Sequence, residues 1–202
     1  MTKIKNIIFD LGAVILTDDD NWLYINKTKN LLKVTGDQLN RGWNEAWPLA
    51  RDGKIDENKF FEIFLKNTGV SGFKSIPKLK EIYRHAVGTL PVFSLLKKLK
   101  LKYKIFALTN IAKDWLKYKT RKFDLYRYFD LIVSSCGEKI AKPHKEIFES
   151  LINKAKIIPD ESLFIDDMER NIKPAQELGF QTILFENKRQ LVKQMKKLGV
   201  KI

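Results

Sequence analysis

"IIFDLGAVI" (residues 7–15) is a short apolar run that ends in an aspartate, with a glycine two places further on. A brief apolar run bounded by polar residues reads as a buried strand. A carboxylate at its end needs a reason, because burying a charge without a partner is unfavourable. The strand itself reads as "IKNIIF" (4–9), and similar short apolar runs follow in "KIFALT" (104–109), "LIVSS" (131–135), "SLFID" (162–166) and "TILF" (182–185). Between the later runs lie helical patterns: Val92, Leu95, Leu96 and Leu99; then Ile147, Phe148, Leu151 and Ile152; then Ile172, Ala175 and Leu178, closed by Gly179. Strands alternating with helices predict an α/β protein with a doubly wound parallel sheet.

Residues 17 to about 90 break the alternation. They contain no clear strand and read as helical segments around Trp22–Leu32, Gln38–Leu49, Asp56–Asn67 and Pro77–Ala86. The third is the best delimited. Asp56 is its expected N-cap, Phe60, Phe61, Phe64 and Leu65 form its apolar side, and Gly69 falls just past its end. An all-helical insert after the first strand follows.

A chain of 202 residues that is 44% hydrophobic can bury a full core. Its one cysteine, Cys136, excludes an internal disulfide. "MTKIKNIIFD" (1–10) lacks the apolar run and cleavage site of a secretion signal, so the expected location is cytoplasmic. No apolar stretch approaches the roughly 20 residues needed to span a bilayer, and no membrane partner is expected. The net charge of +14 is spread over "LLKKLKLKYK" (95–104), "KDWLKYKTRK" (113–122) and "KRQLVKQMKKLGVK" (188–201), each interleaved with core-type residues. Such lysines read as solvated faces, and with no nucleic-acid motif present a nucleic-acid partner is not expected.

Open parallel sheets bind ligands at the carboxyl ends of their strands. There the sequence places Asp10, Thr109 and Asn110, and Asp166 and Asp167, with Lys142 in the loop after the third strand, before Pro143. Three carboxylates, a hydroxyl, an amide and an ammonium would meet at one mouth. Carboxylates that close repel unless a cation joins them, and oxygen ligands of this kind suit Mg²⁺.

"FDLGAVI", "FALTN", the lysine of "GEKIAKPHKEIF" and "LFIDDMERNIKPAQELGF" resemble, in order, the motifs of the haloacid dehalogenase-like hydrolase superfamily. The likeness covers about residues 1–16 and 90–187. It is nearest to the subfamily that includes the phosphatase domain of soluble epoxide hydrolases and bacterial sugar-phosphate phosphatases. The resemblance implies a Rossmann-like core of residues 1–16 and 90–202, with residues 17–89 as a helical cap. "EAWPLARDGKIDENKFF" (45–61) is similar to the cap region, though less specifically.

By the same resemblance Asp10 is the nucleophile, attacking phosphorus to give an aspartyl phosphate, and also binds Mg²⁺. The Gly12 backbone carbonyl and Asp167 would be further metal ligands, and Asp166 would accept hydrogen bonds from metal-bound water. Thr109 and Asn110 would hold phosphoryl oxygens, and Lys142 would neutralise the developing charge. Asn171 is expected to orient the loop. His144 is expected to be exposed at a helix start, and Cys136 has no context for thiol chemistry. Trp22, Trp43 and Trp47 read as cap core rather than substrate platform, and Arg51 is a candidate to reach the substrate.

Gly12 is the departure from the family pattern. Most phosphatases of this superfamily carry an aspartate there, which protonates the leaving alcohol and then activates water. The "TDDD" run, Thr17–Asp20, could supply a substitute, although a solvated acidic turn is the simpler reading. The implied activity is a Mg²⁺-dependent phosphatase acting on a small phosphomonoester such as a sugar phosphate, in a monomer or homodimer. The alternative is a slow or inactive protein that binds a phosphorylated ligand or a protein partner. A dehalogenase, the third class considered, would need no metal and leave the Asp166–Asp167 pair unexplained.

Overall fold

A computed structural model describes residues 3–17 and 22–202, leaving out the side chains of Trp22 and Leu23. Asp18 to Asp20, the acidic part of the "TDDD" run, therefore lie outside the described residues. The strands are β1 (Asn6–Phe9), β2 (Lys104–Thr109), β3 (Leu131–Ser134), β4 (Ser162–Asp166) and β5 (Gln181–Leu184). The helices are α1 (Trp22–Leu32), α2 (Gly36–Arg51), α3 (Glu57–Thr68), α4 (Ile76–Ala86), α5 (Leu96–Leu99), α6 (Lys113–Phe123), α7 (Ser135–Glu138), α8 (Lys145–Ala155), α9 (Glu169–Glu177) and α10 (Lys188–Lys197).

The sheet is entirely parallel, in the order β3-β2-β1-β4-β5. Alternate strand residues feed two separate cores. Ile7, Phe9, Ile105, Ala107, Leu163 and Ile165 pack on one face, with Leu96 and Leu99 of α5 and Leu191 and Met195 of α10. Ile8, Phe106, Leu108 and Phe164 pack on the other, with Ile147, Phe148 and Leu151 of α8 and Ile172 and Ala175 of α9. Burial on both faces is why these strands read as unbroken apolar runs. The order reverses beside β1: the chain moves outward to β3, then returns to place β4 on the other side of β1. Such a switch point opens a crevice at the carboxyl ends of β1 and β4.

Helices α1 to α4 come between β1 and β2 in the chain and share a third cluster rich in aromatic rings. Asp56 caps α3 by accepting from the Lys59 N–H at 2.8 Å, and Gly69 ends it at φ 81°. A capping box between Thr35 and Gln38 starts α2 earlier than the sequence pattern places it, and the helix runs on to Arg51. The centre of this cluster is a residue the pattern does not single out, Trp115 of α6. Its ring lies 4.6 Å from Tyr83, 5.5 Å from Trp47 and 5.0 Å from Phe60. The Trp115 indole N–H donates to Glu57 at 3.1 Å, and Glu57 in turn pairs with Lys80 and Arg84. Core helix and inserted helices are thus joined by aromatic packing over a buried carboxylate.

Candidate active site

Asp10 directly follows β1, where its N–H donates to the Ile165 carbonyl of β4 at 2.9 Å. One carboxylate oxygen accepts the Leu11 N–H at 2.7 Å, and the other faces Lys142 Nζ at 2.9 Å. Burial, together with repulsion from Asp166 and Asp167, pushes the Asp10 carboxyl up to about 7 against the pull of Lys142. Lys142 is 1% exposed and bridges Asp10 and Asp166, the latter at 2.6 Å. Burial acts to lower the pKa of this lysine, and the two carboxylates outweigh it and hold the pKa above its ordinary value.

The structure brings most of the expected residues together. A pocket of about 190 Å³ is lined by Asp10, Gly12, Asn110, Lys142, Asp167 and Asn171. Thr109, the last residue of β2 and expected on phosphoryl oxygens, is 2% exposed and does not line the pocket. Gly12 presents a carbonyl that accepts the Val14 N–H at 2.7 Å and keeps its second lone pair. The left-handed residue of this turn is Ala13, at φ 54°.

Two further residues sit differently from expectation. Asn110, expected on phosphoryl oxygens, uses its side-chain amide on the Lys142 backbone, donating to the carbonyl at 3.0 Å and accepting the N–H at 2.9 Å. It clamps the lysine loop. Asp166, expected to receive metal-bound water, is fully enclosed and does not line the pocket. Its oxygens accept from Lys142, the Met168 N–H at 2.9 Å and the Asn171 amide at 2.8 Å. An open acceptor also remains on Asn171. Its Oδ1 is buried without a hydrogen-bond partner in a residue 1% exposed, on the pocket wall.

That orphaned oxygen tests whether a hydrated cation fits. Asp10, Asp166 and Asp167 place carboxylate oxygens within 4.8 Å of one another, and Lys142 offsets one charge of the three. The residual charge matches a dication. Oxygen donors suit Mg²⁺, which keeps several waters, and a metal-bound water would supply the donor that Asn171 Oδ1 lacks. The residues present fit the ion.

The rest of the pocket comes from further away. Trp43, Trp47 and Arg51 reach it from α2, and Met168 and Arg170 from the start of α9. Trp43 and Trp47 stack 5.3 Å apart within the aromatic cluster, so the same indoles are both core and pocket wall. Arg51 pairs with Asp52 at 2.9 Å. Met168 and Arg170 were not anticipated. Their position between Asp167 and Asn171, beyond a strand's carboxyl end, was the available signal. His144 stands exposed at the start of α8 as expected, and a short helix, α7, separates β3 from the lysine loop.

The family model described as haloacid dehalogenase-like hydrolase matches residues 55–185, more than half of the chain. The chain belongs to the haloacid dehalogenase-like hydrolases. Bifunctional epoxide hydrolase 2 of Mus musculus is 30% identical over 105 residues, which is 48% of this chain and 19% of that protein. The chain thus spans about a fifth of that relative's length. D-ribitol-5-phosphate phosphatase of Bacteroides thetaiotaomicron is 27% identical over 202 residues, covering 91% of this chain and 93% of that one. A solved enzyme of this family from Bacteroides thetaiotaomicron, in complex with magnesium and inorganic phosphate, is similar at TM-score 0.78 and 27% identity, over 92% of this chain and 96% of that one.

Proposed function

We propose that the chain is a Mg²⁺-dependent phosphatase of small phosphomonoesters, working through an aspartyl phosphate on Asp10. The observation that carries this reading is the bridge from Lys142 to Asp10, at 2.9 Å, in a pocket that Asp167 also lines. The similarity to a sugar-alcohol-phosphate phosphatase and to a magnesium–phosphate complex supports it.

Asp10, the Gly12 carbonyl and Asp167 would hold Mg²⁺, with Asn171 accepting from its water shell. When bound, the ion supplies positive charge to the phosphoryl oxygens and restrains the Asp10 carboxylate. One Asp10 oxygen attacks phosphorus as the bond to the alcohol oxygen breaks, and the leaving oxygen takes a proton from solvent. Water then attacks the phosphoenzyme, the bond from phosphorus to the Asp10 oxygen breaks, and inorganic phosphate leaves with the carboxylate restored. Lys142 holds Asp10 in place and offsets charge on the transferring group. Asn110 fixes the lysine loop, and the Thr109 hydroxyl, at the end of β2, would contact the phosphoryl oxygens. The helices of residues 17–89 act as the cap, and their α2 side chains form the wall that the substrate's alcohol meets.

Gly12 favours a second reading, a slow enzyme that holds its phosphorylated state. General acid–base catalysis is typically worth about 10²–10⁴-fold, and no carboxylate is present at this position. Rapid mixing with an aryl phosphate and Mg²⁺ distinguishes the two. A burst of aryl alcohol approaching one equivalent followed by slow turnover means that the second step lacks its base. Fast turnover without a burst, lost in an Asp18, Asp19 or Asp20 variant, moves the base to the "TDDD" run. Hydrolysis that survives both chelation and Asp10→Asn rejects the mechanism.

A further inference from the structure

At the opposite end of the sheet, around the amino ends of β1 and β2, lies a cavity of about 800 Å³ lined by Lys3, Lys5, Lys100, Lys102, Lys104 and Lys201. Asp130 is the one acid on its wall among the described residues. Lys5 pairs with Glu161 and Lys100 with Asp130, while Lys3, Lys102, Lys104 and Lys201 make no ion pair among the described residues. Lys100 and Lys102 follow the C-terminus of α5 and Lys201 that of α10, whereas Lys3, Lys5 and Lys104 follow none, so attraction to helix C-termini accounts for only part of the cluster. Nor does attraction of the substrate. The strands are four to six residues long, which puts the cavity roughly 15–20 Å from the catalytic mouth, beyond the Debye length of about 8 Å.

The same end displays apolar side chains. Leu101 is 82% exposed in the turn entering β2, Tyr126 is 66% exposed before β3, and Ile158 is 57% exposed before β4. Because the strands are parallel, all of these turns face one way. Two of the three side chains are aliphatic, and such groups neither stack on bases nor bind phosphates. Aliphatic and tyrosine side chains at the same end of the sheet as the lysines match an interface between anionic headgroups and acyl chains.

We propose that this end of the protein docks on an anionic phospholipid surface. The lysines meet headgroup phosphates, Leu101 and Ile158 enter the interface, and the catalytic mouth is left facing water. The expectation of no membrane partner rested on the lack of a spanning segment, which concerns crossing a bilayer and not lying on one.

Co-sedimentation of the full chain with vesicles tests this. Phosphatidylcholine vesicles containing phosphatidylserine should retain the protein, pure phosphatidylcholine should not, and retention should fall as salt is raised. The triple variant Lys3→Glu, Lys102→Glu, Lys201→Glu should lower partitioning by roughly tenfold or more. Leu101→Ser should lower it by roughly threefold. Both variants should keep the parent's circular dichroism and its hydrolysis of an aryl phosphate. Equal binding to neutral vesicles, or undiminished binding by the triple variant, overturns the proposal. So does an absence of vesicle binding, and retention on single-stranded RNA in that case would assign the lysines to a nucleic acid.

Discussion

The two ends of the sheet use the same side chain in opposite ways. At the carboxyl end Lys142 is 1% exposed and locked between Asp10 and Asp166, at 2.9 and 2.6 Å. At the amino end Lys3, Lys102, Lys104 and Lys201 stand in solvent without ion pairs among the described residues. An enclosed charge must be matched almost one for one, because its desolvation is offset only by partners held in place. An exposed charge is screened by water and salt and costs the fold little. The first kind of lysine therefore couples to stability and chemistry together, and the second can be exchanged without disturbing either.

The largest effect belongs at the enclosed end. Asp10→Asn, with an amide that is neither nucleophile nor adequate ligand, should lower Mg²⁺-dependent phosphate release from an aryl phosphate by at least about 10⁴-fold. Residual activity within tenfold of the parent would show that the enclosed charges are structural only. Next come the neighbouring acids, which should differ in kind. Asp166→Ala removes a partner from Lys142, the Met168 N–H and Asn171 at once, and should destabilise the metal-free protein to urea by about 3–5 kcal/mol. Asp167→Ala should abolish the gain of about 2.7 kcal/mol expected for the parent at Mg²⁺ a hundredfold above its dissociation constant, while Asp166→Ala should keep part of it. A reversal of these two outcomes would exchange the roles of the acids.

A smaller effect is expected at Gly12. Because the left-handed residue of the turn is Ala13, an aspartate at position 12 meets no unfavourable φ. Gly12→Asp should raise steady-state turnover by on the order of 10² and shrink the burst. No change in either would mean that the natural protein already has its acid–base group. The smallest effect belongs at the exposed end, where Lys102→Glu should alter urea stability by less than about 0.5 kcal/mol. A larger loss would mean that the amino end is as tightly coupled as the mouth.

The strands and the residues at their carboxyl ends were legible because the signals are local. An apolar run between polar residues identifies a buried strand whatever it packs against, and the residue after it is then at the mouth by chain geometry. Asp10, Thr109, Asp166 and Asp167 fall there for that reason, and Asp56 and Gly69 mark the ends of α3 as their residue types dictate. Contacts between distant segments were not legible. Trp115 lies in a lysine-rich stretch whose periodicity does not reveal it as the centre of the aromatic cluster. Asn110 looks like a ligand in the sequence, but a loop 32 residues away occupies its amide. Asp166 and Asp167 are adjacent acids in the sequence, and only the packing of β4 against the Lys142 loop turns one inward and leaves the other on the pocket wall. The lysines divide in the same way, since residues 3, 102 and 201 become neighbours only when the chain ends and the turn before β2 meet at one end of the sheet. Sequence pattern sets which residues are buried in each element, whereas the pairing of charges depends on distances between segments, and those exist only in the folded chain.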